Sequence, residues 1–477
     1  MSYTIVIFGA NGDLSKRKLI PALYNLSISN SLDEDIRIVG VGRRDYTIDE
    51  YHSEVYESLN EYSRNLMEMP NWENFKYKIH YYKMDFKNKD EYIGLDKYLN
   101  TFSDNKINEK RVYYLAVAPE YFGLIVDELR IHKMNSYNNS WPKLVIEKPF
   151  GSDLATSKIL NSKILTAFDE ERIYRIDHYL AKEMFQNIMV LRFGNTIFEP
   201  IWNNKFIKEI QITSSESIGI GLRGEFYETS GAIRDMVQSH LLQLLTLITM
   251  DKPKLLNAKD IKDEKVKVLK SLKKYEVNEV NDYVVRGQYD NYRTEQKVSS
   301  ESNTETYVAI KTYINNSRWN NVPIYIRTGK KLKEKLTQIV IEFKPTLDNL
   351  YGNLEQPNYL VINIQPNEDI SIHFNTKLPG LIQNINSVNM TYCQNCQIPN
   401  NHPEAYEILF FDIIKGDSNL FTRWDEVENS WEFIDSIING WNNTKPKFPN
   451  YKSGSWGPDE SSILLEKDRT EWKTFEN

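Results

Sequence analysis

Only two cysteines occur in 477 residues, too few for a disulfide framework, and this points to a reducing compartment such as the cytoplasm. No stretch approaches the roughly 18 consecutive apolar residues of a membrane span, so no membrane partner is expected. The opening MSYTIVIFGANGDL runs straight into a strand, with neither a basic segment nor a cleavage site, which argues against a secreted or imported precursor. Basic side chains are in deficit. The 59 Lys and Arg against 66 Asp and Glu leave a net charge of −7, which excludes a general nucleic-acid binder. Any anionic ligand must therefore be held by a local basic cluster. Glycine is scarce at 20 residues while tyrosine is abundant at 30, a bias that carries no functional reading.

What is present is ordinary globular material, 40% apolar and 26% charged, and the length implies two or three domains. The first part alternates strand and helix. Short apolar strands are expected at Tyr3–Phe8, Ile36–Gly40, Ile79–Phe86, Val112–Val117 and Leu144–Ile146. Their spacing argues for a parallel sheet covered on both faces. A helix from about Asp13 should be kinked or divided by Pro21. Beyond about residue 200, strands dominate, several with period-two alternation, and long helices are expected over Thr229–Met250 and Trp424–Asn439. Residues 257–306, rich in Lys, Glu, Asn and Ser, read largely as surface excursions, and the tail after Trp441 as a wrapping or dangling segment. The resulting expectation is an α/β Rossmann-type dinucleotide-binding domain over residues 1–178. A larger α+β domain with a mostly antiparallel sheet, for substrate and oligomerisation, follows over 179–477.

Several constellations carry chemistry. Gly9-Ala10-Asn11-Gly12-Asp13-Leu14 sits where the first strand meets the first helix, and glycines there admit a pyrophosphate to backbone N–H groups. The alternative is a plain glycine turn capped by Asp13. The second strand ends in Arg43-Arg44-Asp45, and guanidiniums at that position suit the 2′-phosphate of NADP, with NAD as a weaker alternative. Paired against Asp45, the two arginines would instead be a solvated charge cluster. Lys148, in EKPFG at the end of a late strand, lies where ligands bind in open α/β sheets. Its other reading is a salt bridge.

Arg175-Ile176-Asp177-His178-Tyr179-Leu180-Ala181-Lys182-Glu183 gathers an imidazole, a phenol and an ammonium, donors that a phosphate monoester needs. A helix starting near His178 would place Lys182 one turn above it. Asp177 needs a different partner, and His240 is the candidate, although a histidine on an apolar stripe is commonly a core residue. At 100° per residue, Asp235 and His240 stand about 140° apart on an α-helix, lining two sides of a pocket at most. Alcohol oxidation requires a base beside the C–OH, and a carboxylate on the far ring nitrogen would fix its tautomer. VPIYIRTGKKL ends a strand in a basic turn, with Lys335 following. Cys393-x-x-Cys396 is incomplete as a zinc site, and no metal is expected.

The motifs GANGDLSKRK, IEKPFG, RIDHYLAKE, GAIRDMVQSHLLQLL, RGQY and VPIYIRTGKKL, in this order, resemble the glucose-6-phosphate dehydrogenase family over most of the chain. The resemblance implies oxidation of D-glucose 6-phosphate at C1 to the lactone with NADP, the entry step of the pentose phosphate pathway. It implies His240 as base and Asp177 as its orienting carboxylate. His178, Tyr179, Lys182 and Lys335 would meet the sugar phosphate, and Lys148, Glu216, Asp235, Lys330 and Gln365 the sugar hydroxyls. Arg43 would take the 2′-phosphate, and Asp85 falls where the family meets the adenine. A homodimer or homotetramer is implied. The sequence departs from the family's pattern at Ala181 (usually Gly), at Val117-Ala118-Pro119 (Leu-Pro-Pro) and at Ser239 (Asn). An oxidoreductase acting on an unphosphorylated sugar would not need the phosphate donors. A silent dinucleotide sensor would have lost His240 or Asp177.

Overall fold

The computed structural model describes residues 3–102, 110–136, 142–345, 357–381, 384–394 and 401–475. They pack as two compact units. The first comprises Met1–Lys182, Leu256–Lys262 and Asn401–Glu428, and the second Glu183–Leu255, Asp263–Asn400 and Asn429–Asn477.

In the first unit, β1 (Tyr3–Phe8), β2 (Ile36–Gly42), β3 (Ile79–Lys83), β4 (Lys110–Leu115), β5 (Lys143–Ile146) and β6 (Ile173–Ile176) are all parallel, in the order 6-5-4-1-2-3. This is the Rossmann order, whose switch point between β1 and β4 opens a crevice at the carboxyl ends of the strands. The two-residue strand Phe421–Thr422 adds antiparallel to β6. β1 is buried along its whole length, as a continuous apolar run in a doubly covered sheet must be. The first helix is divided as expected. A π-wound turn, Ser15–Leu19, precedes the α-helical Ile20–Ile28, with Pro21 in the first turn of the latter, where its missing N–H costs nothing. The helix Ala405–Lys415 buries Tyr406, Leu409, Phe410, Ile413 and Ile414 in the same core as β1, and Tyr3 donates to the Ile414 carbonyl at 3.0 Å.

The second unit is built on an eight-stranded sheet of β7 (Ile207–Ser215), β8 (Val284–Gly287), β9 (Tyr307–Thr312), β10 (Ile324–Gly329), β11 (Leu336–Phe343), β12 (Tyr359–Gln365), β13 (Asp369–Lys377) and β14 (Ile385–Cys393). The order is 14-13-12-11-7-10-9-8, and every pairing is antiparallel except β7 with β10. Residues 257–306 are more than surface excursions. They supply the helix Ala258–Ser271 and the edge strand β8, and they bury Val266, Leu269, Gln288, Tyr289 and Tyr292. The polar composition misled because tyrosine and glutamine satisfy themselves inside: the buried Gln288 amide donates to the Ser302 and Thr304 carbonyls. Among the described residues no helix is long and apolar enough to cross a membrane. Cys393 ends β14, and Cys396 lies outside the described residues.

Candidate active site

In the first unit a cleft of about 300 Å³ opens at the carboxyl ends of β1, β2 and β4, lined by Gly9, Asn11, Gly12, Gly42, Arg43, Arg44, Asp85, Phe86, Tyr121 and Ala116–Ala118. Its floor needs glycine. Gly9 has φ of +91°, and a Cβ there would lie 2.2 Å from the Ala116 carbonyl oxygen. The Gly9 and Ala10 N–H groups donate to the Val41 carbonyl, and the Gly12 N–H to the Gly9 carbonyl at 2.9 Å, which ties the turn to β2. Asn11 keeps a buried Nδ2 with no partner, while its Oδ1 accepts from the Tyr81 hydroxyl. Ala10 is buried and Leu14 packs against the core. Asp13, rather than capping a helix, is exposed beside Arg17 at 3.7 Å.

The two arginines differ. Arg44 is already held by the Tyr46 hydroxyl at 2.8 Å and by Glu54 at 3.4 Å, and these partners raise its pKa. Arg43 is exposed and makes no such contact among the described residues. Asp45 does not neutralise the pair, because it binds Lys83 at 2.6 Å. Asp85 accepts the Lys87 N–H at 3.1 Å, and Phe86, Tyr121 and Ala116–Ala118 add an apolar wall, of which only Val117 and Ala118 stand out in the sequence, as a departure from the family's pattern. Aromatic and small residues at strand ends carry no distinctive spacing.

Lys148 follows β5, beside Glu147. The turn after β6 carries Asp177 through Lys182, and no helix begins at His178; the α-helix starts at Glu183. Instead the Asp177 carboxylate accepts the Tyr179 N–H at 3.1 Å and its carbonyl the Leu180 N–H, forming a turn that projects the next side chains together. The Lys182 ammonium stands 3.9 Å from the Tyr179 ring centre, and the His178 and Tyr179 rings are 5.0 Å apart. The three donors therefore gather by turn geometry, not by helical stacking.

The second unit collects its polar groups through sheet register. β7 and β10 run parallel with Ser215 opposite Gly329, so the next residues, Glu216 and Lys330, emerge side by side, 2.7 Å apart. β11 starts on the same edge, which brings Lys335 there, and β12 ends on it at Gln365, whose amide donates to Thr337 at 2.9 Å. Lys330 is only 7% exposed, so the basic turn is not a uniformly solvated run, and its ammonium lies 4.0 Å from Asp235. Lys335 is exposed. Gln365 also borders a separate polar cavity of about 240 Å³, with Glu334, Asn363 and the tail residues Thr474 and Phe475.

The segment expected as one long α-helix is three pieces. Gly224–Ala232 is α-helical, Ile233–Leu241 is π-wound and Leu242–Thr249 is α-helical again. The winding corrects the angular estimate for Asp235 and His240. Bonds from i to i+5 bring the fifth residue back close to the same face, where an α-helix would carry it about 140° away. His240 is buried at 3% exposure and Asp235 is largely buried. Gly231 precedes the π turn at φ of +60°, where a Cβ would lie 2.2 Å from Glu305 Oε1. That buried carboxylate accepts the Ile233 N–H at 3.1 Å and so caps the π turn, a role with no sequence signal.

Two family profiles cover nearly the whole chain: glucose-6-phosphate dehydrogenase, NAD binding domain, over residues 6–187, and glucose-6-phosphate dehydrogenase, C-terminal domain, over 189–473. The glucose-6-phosphate 1-dehydrogenase of Bacillus subtilis is 45% identical over 482 residues, covering 98% of this chain and 97% of that protein. The enzyme of the same name from Borreliella burgdorferi is 42% identical, covering 98% and 97%. A solved glucose-6-phosphate dehydrogenase in complex with its substrate glucose-6-phosphate superposes with a TM-score of 0.92 at 32% identity, covering 99% of both chains.

Proposed function

The chain belongs to the glucose-6-phosphate dehydrogenase family over both of its domains, and from that premise we infer the reaction it performs. It oxidises D-glucose 6-phosphate at C1 to 6-phospho-D-glucono-1,5-lactone, with NADP as acceptor, the entry step of the pentose phosphate pathway. The observation that carries the reading is the turn after β6, which presents an imidazole, a phenol and an ammonium together, as a phosphate monoester requires.

The cleft of the first unit fits the cofactor. The Gly9 turn leaves backbone exposed to a pyrophosphate, the Asn11 amide has an unused donor, and Arg43 has a guanidinium free for a 2′-phosphate. Bound there, NADP supplies the hydride acceptor. Gly9 to Leu14, Arg43, Arg44, Asp85 and Lys148 are assigned to it. His240 is assigned as the base that takes the C1 hydroxyl proton, since hydride leaves carbon only as that proton leaves oxygen. Asp177 is assigned to fix the histidine tautomer and stabilise the imidazolium. His178, Tyr179, Lys182 and Lys335 hold the phosphate, and Lys148, Glu216, Asp235, Lys330 and Gln365 the hydroxyls. Burial of the Lys330 side chain against two carboxylates supports an orienting role, because a paired ammonium is fixed in direction. We place the enzyme in the cytoplasm as a homodimer or homotetramer.

Purified protein mixed with glucose 6-phosphate and NADP should generate the near-ultraviolet absorbance of NADPH. Plain glucose should give little signal. Equal rates with glucose and with its 6-phosphate would return the assignment to an oxidoreductase of unphosphorylated sugars.

A further inference from the structure

Glu147 is not among the residues assigned above, yet it is unusually organised. Two tyrosine hydroxyls from separate elements converge on the same carboxylate oxygen. Tyr114, on β4, donates to Oε1 at 2.6 Å, and Tyr406, on the helix Ala405–Lys415, donates to it at 3.2 Å. The Tyr406 ring in turn lies nearly parallel to the His178 ring, 13° between planes and 6.4 Å between centres. The carboxylate is thus linked, through one phenol, to the first of the three phosphate donors. A carboxylate clamped by two neutral donors is fixed in direction, and removing one donor leaves its anion less stabilised and free to turn toward the other.

We propose that Glu147 is a positioning residue for the phosphate end of the substrate site, holding Tyr406 beside His178, and that its protonation state sets how affinity for the sugar phosphate varies with pH. The inference rests on the reading of the turn 177–182 as the phosphate site. The groups facing Glu147 are the Tyr114 and Tyr406 hydroxyls, Lys148 next in the chain, and Asp177 after β6. Burial, aided by the Asp177 charge, pushes the Glu147 carboxyl up to about 7, against the hydroxyl donors and Lys148, which pull it down. Below that pH the side chain is neutral. Above it a negative charge appears beside the site that must hold a phosphate dianion, and affinity falls.

The test measures KM and kcat for glucose 6-phosphate from pH 6 to pH 8.5 in wild type, Glu147→Gln and Tyr406→Phe. The amide keeps the acceptor oxygen and cannot ionise. The ratio of wild-type KM to Glu147→Gln KM should stay near 1 at pH 6 and rise about two- to threefold by pH 8.5, with kcat changed less. In Tyr406→Phe one donor that favours the anion is gone, so the inflection should move to higher pH. A ratio flat across the range, with the wild type turning over normally, would overturn the inference and leave the activity assignment intact. A wild type inactive on glucose 6-phosphate would overturn that assignment itself. Should Glu147→Gln fail to fold, the Tyr406→Phe profile decides: an unmoved inflection refutes the role.

Discussion

Individual side chains decide the chemistry, and the two neighbouring arginines show how. Both suit an anion by residue type, but Arg44 is committed to Tyr46 and Glu54, whereas Arg43 is not. Arg43→Ala should therefore raise KM for NADP at least tenfold with little change for NAD, while Arg44→Ala should change both modestly. Steady-state kinetics with each cofactor distinguishes this from two equivalent guanidiniums. His240→Asn should lower kcat by roughly 10²–10⁴, the usual contribution of a general base, while substrate affinity measured by calorimetry stays close to wild type. Lys143 acts on stability instead. Burial pushes the Lys143 ammonium down to about 7, while in the unfolded chain it titrates near ~10.4. The unfolded chain binds the extra proton between those values, so this lysine makes the folded state gain stability as pH rises from about 7 to about 10. Lys143→Met should abolish that gain in urea titrations, and a stability difference from wild type that does not vary with pH would refute it.

At the level of elements, local winding matters more than the motif it carries. The heptad-like apolar stripe through Ile233, Val237, Leu241, Leu244 and Ile248 is legible, and each of these residues is buried. The π turn that realigns Asp235 with His240 is not legible, because it depends on Glu305, 72 residues away, accepting the Ile233 N–H. Gly231→Ala should destabilise the protein by more than about 1 kcal/mol, since the new Cβ meets Glu305 in a backbone conformation that disfavours L side chains. Activity should fall with it, and rescue by Glu305→Ala of stability alone would separate the steric effect from the capping effect. In the same way, the donors after β6 are legible as residues but not as a turn, because an Asp side chain that accepts the N–H two residues on, as Asp177 does from Tyr179, closes an Asx-turn as readily as it caps a helix.

On the scale of the whole molecule, the C-terminal tail is a built part of the second unit. The Gln211 amide donates to the Glu471 carbonyl and accepts the Lys473 N–H, both at 2.8 Å. Gln338 repeats the pattern with Phe475. Arg327 is sandwiched between Trp456 and Trp472, and Asp468 receives both Tyr325 and Lys311. These interior glutamines face the tail with side-chain amides as a strand would with its backbone. Ending the chain before Asp468 strips both glutamines of their tail partners, leaving Gln211 only Glu209 and Gln338 only Asn363; at about 1–3 kcal/mol for each orphaned carbonyl oxygen the melting temperature should drop by several degrees, at roughly 2–4 °C per kcal/mol. A calorimetric scan unchanged by the truncation would show the tail to be a passive cover.

The sequence by itself determined the kinds of layer and the chemical inventory. Continuous apolar strands separated by helices called for a doubly covered parallel sheet, the strand-rich second half for a mostly antiparallel one, and the motifs named the donors, the base and the acid, because periodicity and residue type are local properties. Tertiary structure alone decided which members of that inventory act together. It placed Glu216 beside Lys330 through the parallel register of β7 and β10, returned Tyr406 to Glu147 across 259 positions, and wound Ile233–Leu241 as a π-helix. Register, long-range hydrogen bonds and helix winding are set by partners distant in the chain, and no window of residues contains them.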